Sequence, residues 1–155
     1  MSVLAITEQY TALLLPGNLP VLRTLRVVYS DADRPTEATV GAVGAPAHFH
    51  AKATELFFVI GGSLQVLVGD EVTVLNAGDF LAVPPYTPHA FSAAPGSTAD
   101  VLFVFTPGMA RFDYLRLLGS VMRGEADPKK IAESSERFDN HYVDSPAWRE
   151  ALAAS

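Results

Sequence analysis

The chain has 155 residues, the length of one ordinary domain, with a formal net charge of −6, 18% charged residues and 49% hydrophobic residues. This composition favours a folded globular protein over a disordered one, and the acidic balance disfavours a nucleic-acid partner because phosphates require a basic patch. The absence of cysteine excludes disulfides, thiolate ligands and a cysteine nucleophile. Residues 1–10 lack a signal-peptide pattern and no apolar run approaches about 20 residues, so we expect a cytoplasmic protein without a membrane partner.

Short apolar segments bounded by turn residues occupy the first two thirds of the chain. Strands are predicted at Thr11–Leu15, Val21–Tyr29, Thr36–Val43, Leu56–Ile60, Ser63–Val68, Phe80–Val83, His89–Ala93 and Ala99–Phe105. Turns between successive strands are predicted at Gly61-Gly62, Gly69-Asp70, Asn76–Asp79 and Pro95–Ser97. Many short strands at near-regular spacing predict an all-β, antiparallel barrel or sandwich over about residues 10–106.

The last third of the chain has a helical pattern. Met109–Arg123 repeats apolar residues every three or four positions, and Lys129–Phe138 and Ala147–Ala153 each follow a polar residue and a proline. We expect this segment, about residues 109–153, to cover one side of the barrel or its mouth. Residues 1–155 are therefore predicted to form a single domain.

Three histidines and one glutamate form the motif that carries chemistry. His48 and His50 are two apart, so on an extended segment they point to the same face. Glu55 opens the next apolar strand, and His89 lies on a later one. We expect His48, His50, Glu55 and His89 to bind one divalent transition metal ion; nitrogen and oxygen donors suit Fe, Ni, Mn, Co, Cu or Zn alike. Four protein ligands on a metal that accepts about six leave positions open, which is typical of a catalytic site.

Apolar side chains are predicted to surround these ligands. Phe57 and Val59 share the face of Glu55 by strand parity, Phe91 shares that of His89, and Phe103 and Phe105 alternate on a further strand. Together with Tyr86 they form a candidate substrate pocket, or alternatively the ordinary barrel core. His141 is interpreted as a surface or packing residue.

The site residues resemble the motifs of the cupin superfamily over roughly residues 37–106. The first motif matches His48, His50, Glu55 and Gly62, and the second matches Gly78, Pro84 and His89. The chain departs from the second motif at Tyr86, where the family usually has glycine, and at Ala93, where it usually has asparagine. The resemblance implies a cupin-type barrel, also described as a double-stranded β-helix or jelly roll.

Within the cupins, the chain resembles the quercetinase-like single-domain proteins. The segments His48–Val59 and Gly78–Pro84 carry this resemblance, and Arg111–Leu115 adds to it. It implies a metal-dependent dioxygenase that opens a small enolic or aromatic, flavonol-like substrate with O2. It also implies that Glu55 is the catalytic acid/base and that the protein is a homodimer. Two alternatives remain open: a redox-neutral isomerase, cyclase or decarboxylase, and a non-catalytic small-molecule-binding cupin.

Overall fold

The computed structural model describes residues 23–30, 45–107 and 111–154. The described strands are β1 (Arg23–Ser30), β2 (Ala45–Phe49), β3 (Thr54–Val68), β4 (Glu71–Asn76), β5 (Phe80–Val83), β6 (His89–Ala93), β7 (Thr98–Thr106) and β8 (His141–Tyr142). The described helices are α1 (Arg111–Met122), α2 (Lys129–Glu133), α3 (Ser135–Phe138) and α4 (Pro146–Ala153). The strands predicted at Thr11–Leu15 and Thr36–Val43 lie outside the described residues.

The pairs among the described strands are all antiparallel and form two sheets that share β3. The first half of β3 pairs with β7 and β5, and β7 also pairs with β1. The second half of β3 pairs with β4 and β6, and β6 continues through β2 to β8. The predicted antiparallel cupin-type barrel with C-terminal helices is confirmed.

One strand runs through the Gly61-Gly62 pair, so the turn predicted there is wrong. Both glycines stay paired with β7, opposite Asp100 and Ala99, and the register slips by one residue between Val59 and Gly61. A two-residue type I′ hairpin needs positive φ at both central residues, whereas here only Gly62, at φ 71°, is positive. The glycines therefore form a bulge that bends β3 from one sheet into the other.

The other turns preceding the second motif are as predicted. Gly69-Asp70 joins β3 to β4, and Gly69 has a φ of 63°. At the next corner the backbone N–H of Asp79 donates to the carbonyl of Asn76 at 2.9 Å, and the Asp79 carboxylate accepts from the Asn76 N–H at 2.7 Å. This corner directs β5 back against the first half of β3.

The core lies between the two sheets and combines aliphatic side chains with four phenylalanines among its described residues. The rings of Phe57, Phe91 and Phe103 contact one another with centroids 4.7–5.5 Å apart. Each fully buried phenylalanine contributes roughly 1.5–3 kcal/mol through the removal of apolar surface from water. The cluster also contacts a predicted metal ligand, because the ring of Phe57 lies edge-on to that of His89 with centroids 6.2 Å apart.

The C-terminal segment is helical as predicted, with one break and one added strand. The predicted helix Lys129–Phe138 is divided into α2 and α3, because the hydroxyls of Ser134 and Ser135 donate to the carbonyls of the preceding turn at 2.8 Å each. α4 packs Trp148 on Leu67 and Ala90 of the second sheet, and so covers one side of the barrel. Among the described residues, no helix combines the length and the apolar character needed to cross a membrane.

Replacement of Gly62 tests the bend in β3. A Cβ at this position would lie 1.8 Å from the carbonyl oxygen of Thr98, in a backbone conformation that disfavours side chains. We expect Gly62→Ala to lower the free energy of unfolding by about 2–5 kcal/mol, the sum of left-handed strain and overpacking. Chemical denaturation measures this loss.

Gly69→Ala is the matched control, because Gly69 also has positive φ but a Cβ there meets nothing within 4 Å. It should cost only about 1–2 kcal/mol, the strain alone. Equal losses in the two variants would contradict a close approach at Gly62.

Candidate metal centre

Four buried side chains converge inside the barrel, and they are the four predicted ligands. His48, His50, Glu55 and His89 each offer one donor atom, and these atoms all lie within 4.8 Å of one another. Each side chain is at most 2% exposed. Two ligands on one ion are separated by at most about 4.4 Å, twice the usual bond length, so shifts of a few tenths of an ångström complete a coordination sphere.

Strand pairing explains why residues distant in sequence meet here. His89 on β6 lies between Val68 of β3 and His48 of β2 in register. Glu55 lies on the other half of β3, between Val83 of β5 and Phe105 of β7. The bend in β3 brings this half towards the histidines, so each sheet contributes to one site.

Backbone carbonyls determine which ring nitrogen each histidine presents to the cluster. His48 Nδ1 donates to the carbonyl of Pro46 at 2.8 Å, and His89 Nδ1 donates to that of Thr87 at 2.9 Å. His50 Nδ1 donates to the carbonyl of Asp139. Since a carbonyl only accepts, each Nδ1 must carry a proton, and each neutral ring therefore presents the lone pair of Nε2.

The resulting arrangement of lone pairs fits a cation. Oε2 of Glu55 lies 3.1 Å from Nε2 of His50 and 2.8 Å from Nε2 of His89. At these distances the lone pairs of Oε2 and Nε2 repel each other unless a second proton on the imidazole or a metal ion lies between the two atoms. Nε2 of His48 is buried and has no hydrogen-bond partner within residues 23–30, 45–107 and 111–154. We conclude that the four residues can hold a divalent transition metal ion, and that its binding displaces protons.

Burial and mutual contacts shift the acidity of two of these groups. Burial lowers the pKa of the His48 imidazole well below its ordinary value, and the neighbouring His89 adds to this effect. Burial alone would raise the pKa of the Glu55 carboxyl, but the contacts with His50 and His89 outweigh it and hold the pKa well below its ordinary value. Both shifts favour the deprotonated forms that metal ligands require.

Asp139 supports His50 from the C-terminal segment, and sequence reasoning missed it. Besides the carbonyl contact to His50, its carboxylate accepts from the backbone N–H groups of Ala51 and Lys52 at 2.8 and 2.9 Å. Its φ of 51° is left-handed, a conformation that Asp and Asn tolerate better than most residues. The sequence signal that could have indicated this role is the Asp139-Asn140 pair directly after the predicted helix Lys129–Phe138.

A second group missed from the sequence lies beside the ligands. Arg111 at the start of α1 is buried, its Nη2 donates to Oδ1 of Asn140 at 2.8 Å, and its guanidinium lies over the rings of Phe105 and Tyr114. The hydroxyls of Tyr114 and Tyr142 are hydrogen-bonded, and the Tyr142 ring lies 6.2 Å from that of His48.

The predicted pocket residues divide into two environments. The apolar ones are all buried in the barrel core: Phe57, Val59, Phe91, Phe103 and Phe105. Tyr86 is 70% exposed and has a φ of 63°, which accounts for the glycine that related motifs carry there. Its backbone N–H donates to the carbonyl of His50 at 2.7 Å. A substrate role for these six residues stays a prediction.

His141 lies on β8, opposite Phe49 of β2 in register, and its ring stacks on that of Phe49 with centroids 4.9 Å apart. Its Nε2 lies 3.3 Å from Oδ1 of Asp139. It is thus a packing residue next to the support for His50.

Comparison with known proteins agrees with the motif. Residues 36–106 match the family model of the cupin domain, Cupin_2. The chain is 30% identical over 92 residues to quercetin 2,3-dioxygenase of Bacillus subtilis (strain 168), a match that spans 59% of this chain and 26% of that enzyme. The chain thus matches about a quarter of the length of that relative.

Similar solved structures include KdgF from Halomonas sp., at 22% identity and a TM-score of 0.48, covering 62% of this chain and 77% of that one. An RmlC-like cupin from Shewanella frigidimarina is 21% identical with a TM-score of 0.47, covering 59% of this chain and 70% of that one.

Removal of the Asp139 side chain tests its support of His50. Asp139→Ala keeps the carbonyl that contacts His50 but removes the carboxylate that anchors it to the N–H groups of Ala51 and Lys52. We expect the loosened carbonyl to weaken metal affinity about 10–100-fold, the usual effect of disturbing a group that orients a ligand. Competition with a chelator of known affinity measures this change. Asp144→Ala, the same substitution at an acid that is 74% exposed, should leave affinity unchanged. Equal affinities in both variants would contradict the role of Asp139.

The lowered pKa of His48 predicts a pH dependence for the chelator-treated protein. Below the ordinary value of 6.5 the unfolded chain binds a proton that the folded chain excludes, so stability falls as the solution is acidified through this range. The slope from this group is at most about 1.4 kcal/mol per pH unit. The contribution of Glu55 is lost only at lower pH, since its folded pKa lies below its ordinary value of 4.5.

Urea denaturation at pH 7.5, 6.5 and 5.5 measures this dependence. His48→Gln should flatten the decline, because the substituted side chain does not titrate. An unchanged slope in the variant would assign the acid sensitivity to other groups.

Proposed function

We propose that the protein is a metal-dependent dioxygenase of the cupin superfamily, a proposal supported by the match of residues 36–106 to the cupin domain model. It opens a small enolic or aromatic, flavonol-like substrate with O2 at the centre formed by His48, His50, Glu55 and His89. The observation that carries the proposal is the convergence of three Nε2 lone pairs and one carboxylate in a buried site. Similarity to the Bacillus subtilis quercetin 2,3-dioxygenase supports the reaction class.

A bound divalent transition metal supplies a Lewis acid, and a redox-active one also exchanges electrons with O2. The chain's own residues contribute the handling of protons. Glu55 is ionised at neutral pH because its pKa is lowered, and it is buried beside the cluster. The contacts that lower this pKa also weaken the carboxylate as a base, so we propose that Glu55 leaves His50 and His89 before it accepts the proton of an enolic or phenolic hydroxyl brought within hydrogen-bond distance.

The aromatic core contributes the exclusion of water. Phe57, Phe103 and Phe105 are each at most 2% exposed, and the Phe105 ring meets that of His50 edge-on at 5.4 Å. A dry surrounding strengthens the electrostatic contacts inside the site and protects a reactive intermediate from hydrolysis. We propose that Phe57, Val59, Tyr86, Phe91, Phe103 and Phe105 line the substrate pocket.

The proposal extends to location and assembly. We propose a cytoplasmic homodimer with a small organic substrate and no nucleic-acid or membrane partner. The net charge of −6 supports the absence of a nucleic-acid partner. The exposed rings of Phe58 and Phe80, opposite each other on β3 and β5, support a surface covered by a second copy.

Glu55→Gln tests the catalytic proposal. The amide keeps the shape of the side chain and retains an oxygen ligand but no longer accepts a proton as a carboxylate does. We expect most of the metal to remain bound and O2 consumption with flavonols to fall about 10²–10⁴-fold, the usual contribution of a general base. An oxygen electrode, together with elemental analysis, measures both quantities.

Glu71→Gln, at an exposed position on β4, is the matched control and should consume O2 at the unsubstituted rate. Full activity in Glu55→Gln would contradict the assigned role. Product formation that continues under argon would instead identify the redox-neutral isomerase, cyclase or decarboxylase. Ligand-induced thermal stabilisation without any product would identify a binding protein.

A further inference from the structure

We propose that Arg111 and Asn140 form an anion-binding site beside the metal centre, which takes a carboxylate group of the substrate. The inference rests on the proposed function and narrows it to small aromatic or enolic acids. Arg111 begins α1, five positions after the last residue of β7, Thr106, and Asn140 precedes β8. The two residues meet only because the C-terminal segment folds back on the barrel.

The first argument is a buried charge without a counter-ion. Arg111 is 9% exposed, yet none of the ion pairs among the described residues includes it. The nearby carboxylates have other partners: Glu55 contacts His50 and His89, and Asp139 accepts from two backbone N–H groups. A buried guanidinium left without an anion is costly, so a bound carboxylate stabilises this arrangement.

The second argument is a pair of unsatisfied donors. Nη1 of Arg111 and Nδ2 of Asn140 are both buried, and neither has a hydrogen-bond partner among the described residues. The orientation of the Asn140 amide is fixed, because its Oδ1 accepts from Nη2 of Arg111 at 2.8 Å. The two orphaned atoms therefore only donate, and their natural partner is an acceptor that carries negative charge.

The third argument is that the guanidinium is held in place before any ligand arrives. Its central carbon lies 4.9 Å from the ring centroid of Phe105 and 4.6 Å from that of Tyr114. These rings stabilise the charge from its faces and do not hydrogen-bond the N–H groups at its edge, where Nη2 donates to Asn140 and Nη1 has no partner among the described residues. Planar, pre-oriented N–H donors are the usual arrangement for recognising a carboxylate.

The final argument is proximity to the metal ligands. Phe105, under the guanidinium, lies opposite Glu55 in register and contacts the ring of His50. Asn140 directly follows Asp139, whose carbonyl holds His50. Both members of the pair thus share a neighbour with His50. A small acid held here by its carboxylate presents its enolic or phenolic oxygen towards the ligands, as the proposed proton transfer requires.

The experiment measures binding without turnover, by calorimetry on metal-loaded protein under argon. Benzoate, salicylate and cinnamate are each compared with the corresponding neutral amide. We expect at least one acid to bind about tenfold or more tightly than its amide, the strength of a charge-assisted hydrogen bond. Arg111→Met should abolish this preference, Arg111→Lys should keep part of it, and Arg116→Met, an exposed position on the same helix, should keep all of it.

Asn140→Asp provides an independent test with an opposite effect on stability. The substitution retains the shape of the side chain and places a carboxylate 2.8 Å from the guanidinium, so it supplies the missing counter-ion internally. We expect a higher Tm and loss of acid binding together. A purely structural asparagine would instead give a lower Tm when substituted.

Three outcomes would overturn the inference. They are equal binding of acids and amides throughout the panel, an acid preference that persists in Arg111→Met, and a lower Tm in Asn140→Asp. Equal binding of acids and amides is the result expected if water alone satisfies Nη1 of Arg111 and Nδ2 of Asn140. Since O2 consumption by the unsubstituted protein is measured separately, each outcome leaves the proposed dioxygenase activity to stand or fall on its own test. Circular dichroism and metal content confirm that each variant is folded and loaded.

Discussion

One carboxylate oxygen facing two imidazole nitrogens is the constraint on which the site depends. Oε2 of Glu55 contacts Nε2 of both His50 and His89, while the opposite nitrogen of each ring is engaged by a backbone carbonyl. The backbone carbonyls thus determine that Nε2 of each ring faces inward, and the fold holds these hydrogen-bond acceptors close to the carboxylate oxygen, which is also an acceptor. Only a proton or a cation resolves that conflict. The arrangement of the four metal-ligating atoms therefore depends on the backbone of the barrel as well as on the four side chains.

The bend at Gly62 makes this arrangement possible. The strand β3 belongs to both sheets. It carries Glu55 in its first half and Val68, which pairs with His89, in its second half. One continuous strand therefore both carries Glu55 and positions His89 through pairing. The absence of a side chain at Gly62 lets β3 pass the carbonyl of Thr98, so a glycine remote from the ligands governs how they meet.

The sequence was sufficient to predict the barrel and the convergence of the ligands, because both follow from local patterns. Two-residue spacing places His48 and His50 on one face, and the alternation after Glu55 continues through Phe57. It was insufficient for the bend, because a Gly-Gly pair forms a hairpin or a bulge depending on which residue takes positive φ. Contacts such as that of His50 with Asp139, 89 residues apart, leave no periodic signal.

The two-residue strand β8 has a thermodynamic consequence. It pairs with β2, the strand that carries His48, with His48 opposite Tyr142. Asp139, two residues before β8, accepts from His50 through its backbone carbonyl. Whatever occupies the ligand cluster thereby also favours attachment of the C-terminal tail, and by reciprocity an attached tail favours occupancy. Removal of the ion would therefore weaken the pairing of β8 with β2.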